Sequence, residues 1–566
     1  MPRWLQDLIS CLCERPADGT ESARDMASDK RIIEQFAYRR SPDQDAHAPV
    51  HHPVIVVGAG PVGMALALDL ARRGIVPLLL DDADRIGEGS RGICWAKRTL
   101  EIFDRLGVAA PMVEKGVVWQ KGKVFLGNAQ VYDFDLLPEG GHQLPAFINL
   151  QQYYVEQELV RGIQRHGEIE LRWRNRVTGI EPRDDGATIT IETPEGPYRL
   201  TCDWLVCCDG ARSPCRDMLG LGFKGEAFQD RFLIADVKMR AAFPTERWFW
   251  FDPPFHTGQS ALLHKQPDDV WRIDLQLGPE ADADAERAPA RVVPRIERML
   301  GHRDFELEWV SIYTFQCRRL ERFMHGRVVF AGDAAHQVSP FGARGANSGV
   351  QDADNLAWKL AAVLNGKAPL SLVETYEIER GQAADENIRH STRSTDFIAP
   401  RTATERHFRN AALGLSGKAA FAQRFVNSGR LSTATVYDTP LSTPDVETFA
   451  GTARLGGPMP DVPVLNRDGA AGWLLRQLSR NETTVLFWDD GFHAGEVRAA
   501  ASACGAVALI AGQDLTDSDG LLAQRLDARP GTTWVVRPDQ HLAARFRRFD
   551  AGRMAQAIGR ASGAVA

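Results

Sequence analysis

Three glycines set the first chemical constraint. In Gly58-Ala59-Gly60-Pro61-Val62-Gly63 the chain can turn tightly at Gly58, and Gly60 lets a pyrophosphate approach the backbone. Gly63 lets the following helix lie close to a sheet. Val62 begins that helix, whose amino end favours phosphate charge. Asp81, eighteen residues after Gly63, ends an apolar run and would accept hydrogen bonds from ribose hydroxyls, with Asp82 its competitor. Two later segments add carboxylates. One is Cys208-Asp209-Gly210-Ala211-Arg212-Ser213-Pro214-Cys215-Arg216. The other is Gly332-Asp333-Ala334-Ala335-His336, which continues through Pro340-Phe341-Gly342-Ala343-Arg344-Gly345-Ala346-Asn347. An Asp at a strand end, before a Gly-rich turn and a helix, can hold a ribityl chain while backbone amides meet phosphate or ring oxygens. The glycine turn alone leaves NAD(P) and FAD open, but a nicotinamide-dependent dehydrogenase would leave both later motifs idle. Gly220-Leu221-Gly222-Phe223-Lys224-Gly225 repeats the glycine spacing without a preceding strand or a periodic helix after it, so no dinucleotide is expected there.

The elements that must position these residues follow from periodicity. Pro53–Val57, the helical stretch Val62–Arg73 and the run Ile75–Leu80 make a βαβ unit. The Asp209 motif follows the apolar strand Trp204–Val206, and Val328–Ala331 leads into Gly332. Phe232–Val237, Trp248–Phe251, Ala261–His264 and Trp271–Leu277 are short runs divided by turn residues, which predicts an antiparallel sheet. Residues 430–465 are rich in Thr, Ser, Pro and Gly and read as a linker. Thr484–Trp488, Ala506–Ile510 and Thr532–Val536 predict a small α/β domain beyond it.

Composition narrows the function class. A chain of 566 residues predicts two or three domains. A net charge of -7 without a basic block argues against nucleic acid. The nine cysteines form no CxxC pair, so no metal or redox pair is expected and a cytoplasmic setting fits. No apolar run is long enough for a transmembrane helix. Residues 1–50 read as an extension. Within it Trp4, Leu5, Leu8, Ile9 and Leu12 share a helical face, as a docking helix or a loose leader would, ahead of a membrane-surface helix.

These segments resemble the three fingerprints of the flavoprotein aromatic hydroxylases. That single-component class includes para-hydroxybenzoate hydroxylase, phenol hydroxylase and 3-(3-hydroxyphenyl)propionate hydroxylase. Gly58–Gly63 with Asp81, Asp209-Gly210 with Arg216, and Gly332-Asp333 carry the likeness. Arg91-Gly92-Ile93 with Arg98, and Gln152 with Glu156 and Leu159, match further family segments. Ser339 departs from the family, where many members begin a Pro-Pro pair, while Pro340 is kept. The resemblance spans about residues 53–395. It implies an α/β fold with a Rossmann-like FAD-binding domain over 51–230 and 315–400 and an inserted antiparallel-sheet substrate domain over 231–314. A helical linker at 401–440 and a small thioredoxin-like domain at 441–566 would follow.

The implied activity is an FAD- and NAD(P)H-dependent monooxygenase that uses O₂, through a flavin C4a-hydroperoxide, to hydroxylate a small phenolic substrate. The implied FAD contacts come from Gly58, Gly60, Pro61, Val62, Gly63, Asp81, Asp82, Arg91, Gln152, Asp209, Gly210, Gly332, Asp333, Gly345, Ala346 and Asn347. Pro340 would turn a carbonyl toward the substrate side. His264, Gln276 and Tyr313 are the acid/base candidates, each as readily a satisfied sheet residue. His336 reads as structural, and Arg272 as a surface residue before a substrate-carboxylate partner. Trp248, Trp250, Phe251 and Trp271 could floor a ring site or be core. An epoxidase or other flavin oxygenase, a halogenase and a non-catalytic flavin-binding regulator are the alternatives. The Trp248-Phe249-Trp250 run matches only the start of the halogenase motif. A homo-oligomer is left open.

Overall fold

The computed structural model describes residues 34–87, 92–241, 243–427 and 431–564. Arg91 and the apolar face at Trp4 to Leu12 lie outside the described residues. The first layer grows from the βαβ unit. Val50–Val57 is a strand buried from Val54 to Val57, as β-branched residues covered on both faces should be. It runs parallel to Leu78–Leu80 on one side and to Gly196–Cys207 on the other, and Gly196–Cys207 runs parallel to Val328–Phe330. Helix Pro61–Arg72 packs against Gln152–His166 and Gly345–Leu364 to cover this sheet.

The register aligns Leu80, Val57, Cys207 and Phe330 side by side. The next residues, Asp81, Gly58, Cys208 and Ala331, therefore leave the sheet along one edge. At about 4.8 Å per strand the row spans about 14 Å. It sits at the carboxyl ends of parallel strands, where doubly wound sheets bind nucleotides.

Residues 34–49 attach to the nucleotide domain. Phe36 stacks on Trp173 with ring centroids 4.6 Å apart, and Asp43 accepts from Arg172 at 2.6 Å and lies 2.9 Å from His52. The attachment is one ring and a few ion pairs, which leave no hydrophobic periodicity to read in the sequence.

The second sheet orders its strands His336–Gln337, Glu306–Leu320, Phe223–Lys238, Val270–Leu277, Ser260–Lys265, Arg247–Phe251, Lys121–Leu126 and Ala129–Asp135. It reaches beyond the expected interval 231–314, because its flanking strands start at Phe223 and end at Leu320. A hairpin at 121–135 also joins it from within the nucleotide domain's expected interval. Phe223 starts a strand rather than a helix, so the Gly220–Gly225 repeat stands in no βαβ context.

Alternation gives this sheet two unlike faces. Leu233, Ala235, Val237, Trp248, Trp271, Ile273 and Leu275 pack with Val292, Ile296 and Leu300 of helix Pro289–Leu300. Trp248 and Trp271 are thus core residues of the outer layer, with Trp250 packed on their cluster. Phe232, Phe249, Phe251, Leu262 and Phe315 form the opposite face and meet Phe341 of the turn Pro340–Gly342. That face looks toward the nucleotide domain.

The third sheet has a thioredoxin-like core. Thr484–Trp488 runs parallel to Val507–Ala511 and antiparallel to Thr533–Val536, which pairs with Leu542–Phe546. Helices Ala494–Ala503 and Ala551–Ala561 complete it. Cys504 is the one cysteine of this domain and is exposed. Buried charges join the domain to the rest: Arg537 binds Glu379 at 2.5 and 3.0 Å, and Arg98 donates to the Asp539 carbonyl at 2.8 Å. No helix among the described residues is long and apolar enough to cross a membrane.

Candidate active site

The glycine turn is built for close approach. Gly58 has φ +104°, and a Cβ there would stand 2.5 Å from the Cys208 carbonyl oxygen. A Cβ on Gly63 would stand 1.9 Å from the Gly58 oxygen. Gly60 differs, since its Cβ would meet nothing within 4 Å. The space over Gly60 is open while its neighbours are packed tight, which fits a group lying against the backbone at the amino end of helix Pro61–Arg72.

Asp81 is spent partly on this turn. Its carboxylate accepts from the amides of Ala59 at 2.6 Å and Ala83 at 2.8 Å, one on each oxygen. Burial raises its carboxyl above the usual range, against the pull of those amides. Each oxygen keeps a lone pair for a ribose hydroxyl. Asp82 beside it is exposed.

The other carboxylates stand farther along the row. Asp209 accepts from the Cys215 amide at 3.0 Å through one oxygen, while its other oxygen is buried without a partner. Gly210 takes φ +78°, which turns the chain away after it. Gly332 has φ +63° and lies against Val62, whose side chain would be 3.0 Å from a Cβ. Asp333, next to it, is exposed on the cleft wall, and desolvation by the surrounding atoms raises its carboxyl. Gly345 faces it, since a Cβ there would lie 3.8 Å from Asp333 Oδ1.

Gln152 and Glu156 hold Gly92 and Gly87. Gln152 accepts from the Gly92 amide at 3.2 Å, and Glu156 accepts from the Gly87 amide at 2.7 Å. His336 is structural: its Nε2 lies 2.7 Å from Asp352, which also takes Arg380 at 2.6 Å and the Gly332 amide at 2.8 Å. His336, the Arg380 guanidinium and the Gly332 amide hold Asp352 below the usual carboxylate range despite its burial. This ion cluster sets the Gly332 turn.

The Asn347 side chain is fully engaged. It accepts from the Ala96 amide at 2.8 Å and donates to the carbonyls of Cys94 and Ala343 at 2.9 and 2.6 Å. Asn347 therefore offers a ligand its backbone amide, as do Gly345 and Ala346 in the first turn of helix Gly345–Leu364. The Pro340 carbonyl already accepts from the Ala343 amide at 2.9 Å, closing the turn. It has one lone pair left for anything on the substrate side.

The sheet's inner face brings His264, Gln276 and Tyr313 to one side. Register aligns Phe251 with Ser260, and Gln276 with Phe232 and Tyr313. The next row is Phe249, Leu262, Asp274, Ile234 and Ser311. A third is His264, Arg272, Asp236 and Trp309. Burial, reinforced by Arg247 and Arg272, pushes the His264 imidazolium well below the usual range. It is a neutral ring whose Nδ1 has no partner. Arg272 is not a surface residue: it is 3 % exposed and binds Asp236 at 2.9 and 3.0 Å.

Sequence reading missed Asp274 and Arg247, although a signal existed. Arg272, Asp274 and Gln276 recur at every second position between Trp271, Ile273, Leu275 and Leu277. Polar residues alternating through an apolar strand mark a lined pocket rather than a solvent face when the sheet is covered. Among the described residues no group of three His, Cys, Asp or Glu could hold a metal.

Comparisons with known proteins agree with this geometry. A family model described as FAD binding domain matches residues 51–391. A 6-methylpretetramide 4-monooxygenase of Streptomyces rimosus is 31% identical over 519 residues, 88% of this chain and 91% of that protein. A 3-(3-hydroxy-phenyl)propionate/3-hydroxycinnamic acid hydroxylase of Mycobacterium sp. (strain JLS) is 31% identical over 363 residues, 62% of this chain and 61% of its own length. The crystal structure of the flavin-dependent monooxygenase PieE, with FAD and substrate, matches with a TM-score of 0.77 at 23% identity. That match covers 91% of this chain and 99% of that one.

Proposed function

The chain belongs to the FAD binding domain family and is a flavin-dependent monooxygenase that hydroxylates aromatic substrates, and from that premise we propose that it acts on a phenolic ring with NAD(P)H as reductant. The observation that carries the reading is the meeting of two surfaces. On one, Asp81, Gly58 to Gly60, Asp209 and Asp333 form a row along the strand ends; the other, the sheet face of Phe232, Phe249, Leu262 and Tyr313, packs on Phe341 in the turn between Asp333 and helix Gly345–Leu364.

The residues present fit FAD. Open space at Gly60 suits the pyrophosphate, and the second lone pairs of Asp81 suit the adenosine ribose. The orphaned oxygen of Asp209 and the cleft-facing carboxyl of Asp333 suit hydroxyls of a ribityl chain. Gly345, Ala346 and Asn347 would give amides to the polar edge of the ring system. Reduced by a nicotinamide, bound FAD supplies the activated oxygen for the ring.

The protein's own part is positioning and exclusion of water. Phe341 packs on Phe232 at 4.6 Å and Phe315 at 5.2 Å, making an apolar wall. Arg247, buried, donates to the Phe341 carbonyl at 3.2 Å and so ties that wall to the sheet. The relatives' names include 3-(3-hydroxy-phenyl)propionate and 6-methylpretetramide as substrates, which supports a phenolic ring here.

A panel of phenols, phenolic acids and fused-ring phenols tests the reading. NADH and NADPH oxidation and oxygenated product are followed together. We expect at least one phenol to stimulate oxidation with stoichiometric product. Stimulation by none, or peroxide alone across the panel, contradicts it.

A further inference from the structure

We propose that Asp274 receives the ring hydroxyl of the substrate and takes its proton, with Arg247 and Arg272 beside it to hold the charge left on oxygen. The inference rests on the phenolic reading above and names the group that reads the hydroxyl. Asp274 Oδ1 is buried and has no hydrogen-bond partner, although the residue as a whole keeps some exposure. A carboxylate oxygen in that state needs an occupant, since an unsatisfied buried acceptor costs about 1–3 kcal/mol and more when charged. His264 Nδ1, on the adjacent strand, and Ser311 Oγ, two strands away in the row of Asp274, are also orphaned on this face. Three such atoms on one face argue for a ligand that brings polar hydrogens rather than for an isolated defect.

The surroundings suit a phenol in particular. Leu262 and Ile234 flank Asp274 in register, and Phe249 lies beyond Leu262, so a flat ring has apolar neighbours. The charged row of Arg272 and Asp236 lies two residues along the strand, about 7 Å away. Arg272 is bound to Asp236, whereas Arg247 is anchored by one guanidinium nitrogen on the Phe341 carbonyl. Five titratable or charged groups besides Asp274 and Arg247 lie on or against this face: Arg272 on its own strand, Asp236 and His264 on the two neighbouring strands, Tyr313 one strand farther, and Cys94. Burial raises the Cys94 thiol to about 11, so it stays protonated at neutral pH, and pushes the His264 imidazolium well below its usual range, which makes His264 a weak proton acceptor.

Burial, helped by Asp236 and opposed by Arg272 and Arg247, raises the Asp274 carboxyl to about 6. It is ionised at neutral pH and more basic than an exposed aspartate. The step balances simply. The phenol O–H bond breaks, its proton joins Asp274 Oδ1, and the electron pair stays on the phenolic oxygen near the arginines. Electron density then rises at the ortho and para carbons, where oxygen is delivered. The proton returns to solvent as Asp274 is reset.

The test pairs phenols with their methyl ethers, from phenol and 3-hydroxyphenylpropionate to 1-hydroxyanthraquinone, on the FAD-loaded full chain. Binding is read from the flavin absorbance, and turnover from product. In the wild type the phenol should bind at least tenfold tighter than its ether at about pH 7.5, and the ratio should shrink several-fold at about pH 5. Turnover should rise with pH through about 6, because Asp274 must be ionised to take a proton. Asp274→Asn should lower kcat about 10²–10⁴-fold and lose that limb while keeping its flavin content. Asp274→Glu should recover part of the rate. An Asn variant within threefold of wild type and with the same limb overturns the inference and leaves the phenolic reading standing. Should that variant not fold, a pH-independent phenol-to-ether ratio in the wild type overturns it equally. A wild type that turns over no phenol overturns both readings.

Discussion

Gly60 separates cofactor binding from folding. In the structure Gly60 has φ -76° and ψ -179°, a conformation open to any L residue. A Cβ there meets nothing within 4 Å, so Gly60→Val should lower the apoprotein's stability by no more than about 1 kcal/mol, the cost of a β-branched helix cap. The same side chain fills the place where a pyrophosphate must touch the backbone. Loss of two charge-assisted hydrogen bonds, each about 1.5–3 kcal/mol, is about 3–6 kcal/mol. That weakens FAD binding about 10²–10⁴-fold. Gly63→Ala is the control with the opposite signature, because its Cβ would stand 1.9 Å from the Gly58 carbonyl oxygen and the backbone itself must move. Apoprotein melting and FAD titration by flavin fluorescence, run on both variants, measure the two effects separately. A Gly60→Val protein that binds FAD within threefold of wild type refutes the reasoning, as does one whose apoprotein melts far below wild type.

Three other substitutions probe the remaining parts. Asp333→Ala should weaken FAD binding at least tenfold with little change in apoprotein melting, since the carboxyl is exposed on the cleft; an unchanged FAD titration contradicts its role. Glu379→Gln should cost about 3–5 kcal/mol in denaturant unfolding, because the carboxylate is buried between Lys359 at 2.7 Å and Arg537 at 2.5 Å. Arg537 and Lys359 hold the Glu379 carboxyl far below the usual range, so its contribution is complete above about pH 4.3 and is lost as pH falls through its native value. The variant should show less acid-dependent loss of stability than wild type when melts at neutral and acid pH are compared. Trp271→Ala should cost about 3–5 kcal/mol while leaving the order of preferred phenols intact, since Trp271 is 1 % exposed within the outer core. A changed preference order would put that residue in the pocket.

How much of this was legible follows from sequence distance. Gly58, Gly60, Gly63 and Asp81 announce themselves because turn, helix and acid lie within one βαβ unit. Asp209 and Asp333 were found as strand-end acids, yet that Val57, Cys207 and Phe330 stand in one register comes only from the folded sheet. The aromatic run Trp248 to Phe251 was ambiguous, and alternation resolved it: Trp248 went to the outer core and Phe251 to the inner face. Asp274 sat in plain view between two residues that were noted, but a carboxylate in an apolar strand reads as an edge residue until the sheet is seen to be covered. The ion cluster of Asp352, Glu379, Arg380 and Arg537 was not legible, since Arg537 comes from a domain more than 150 residues away. The place of one hairpin was hidden for the same reason. The hairpin 121–135 joins a sheet whose other strands begin a hundred residues later.

Oxygen isotope incorporation is the most direct test of the central claim. Purified FAD-loaded protein is supplied with NAD(P)H, the best-stimulating phenol and ¹⁸O₂, and the product is weighed by mass spectrometry. One labelled oxygen on the ring per nicotinamide oxidised is the predicted result. Nicotinamide oxidation that leaves the phenol unlabelled, with all the label in peroxide or water, contradicts the assignment.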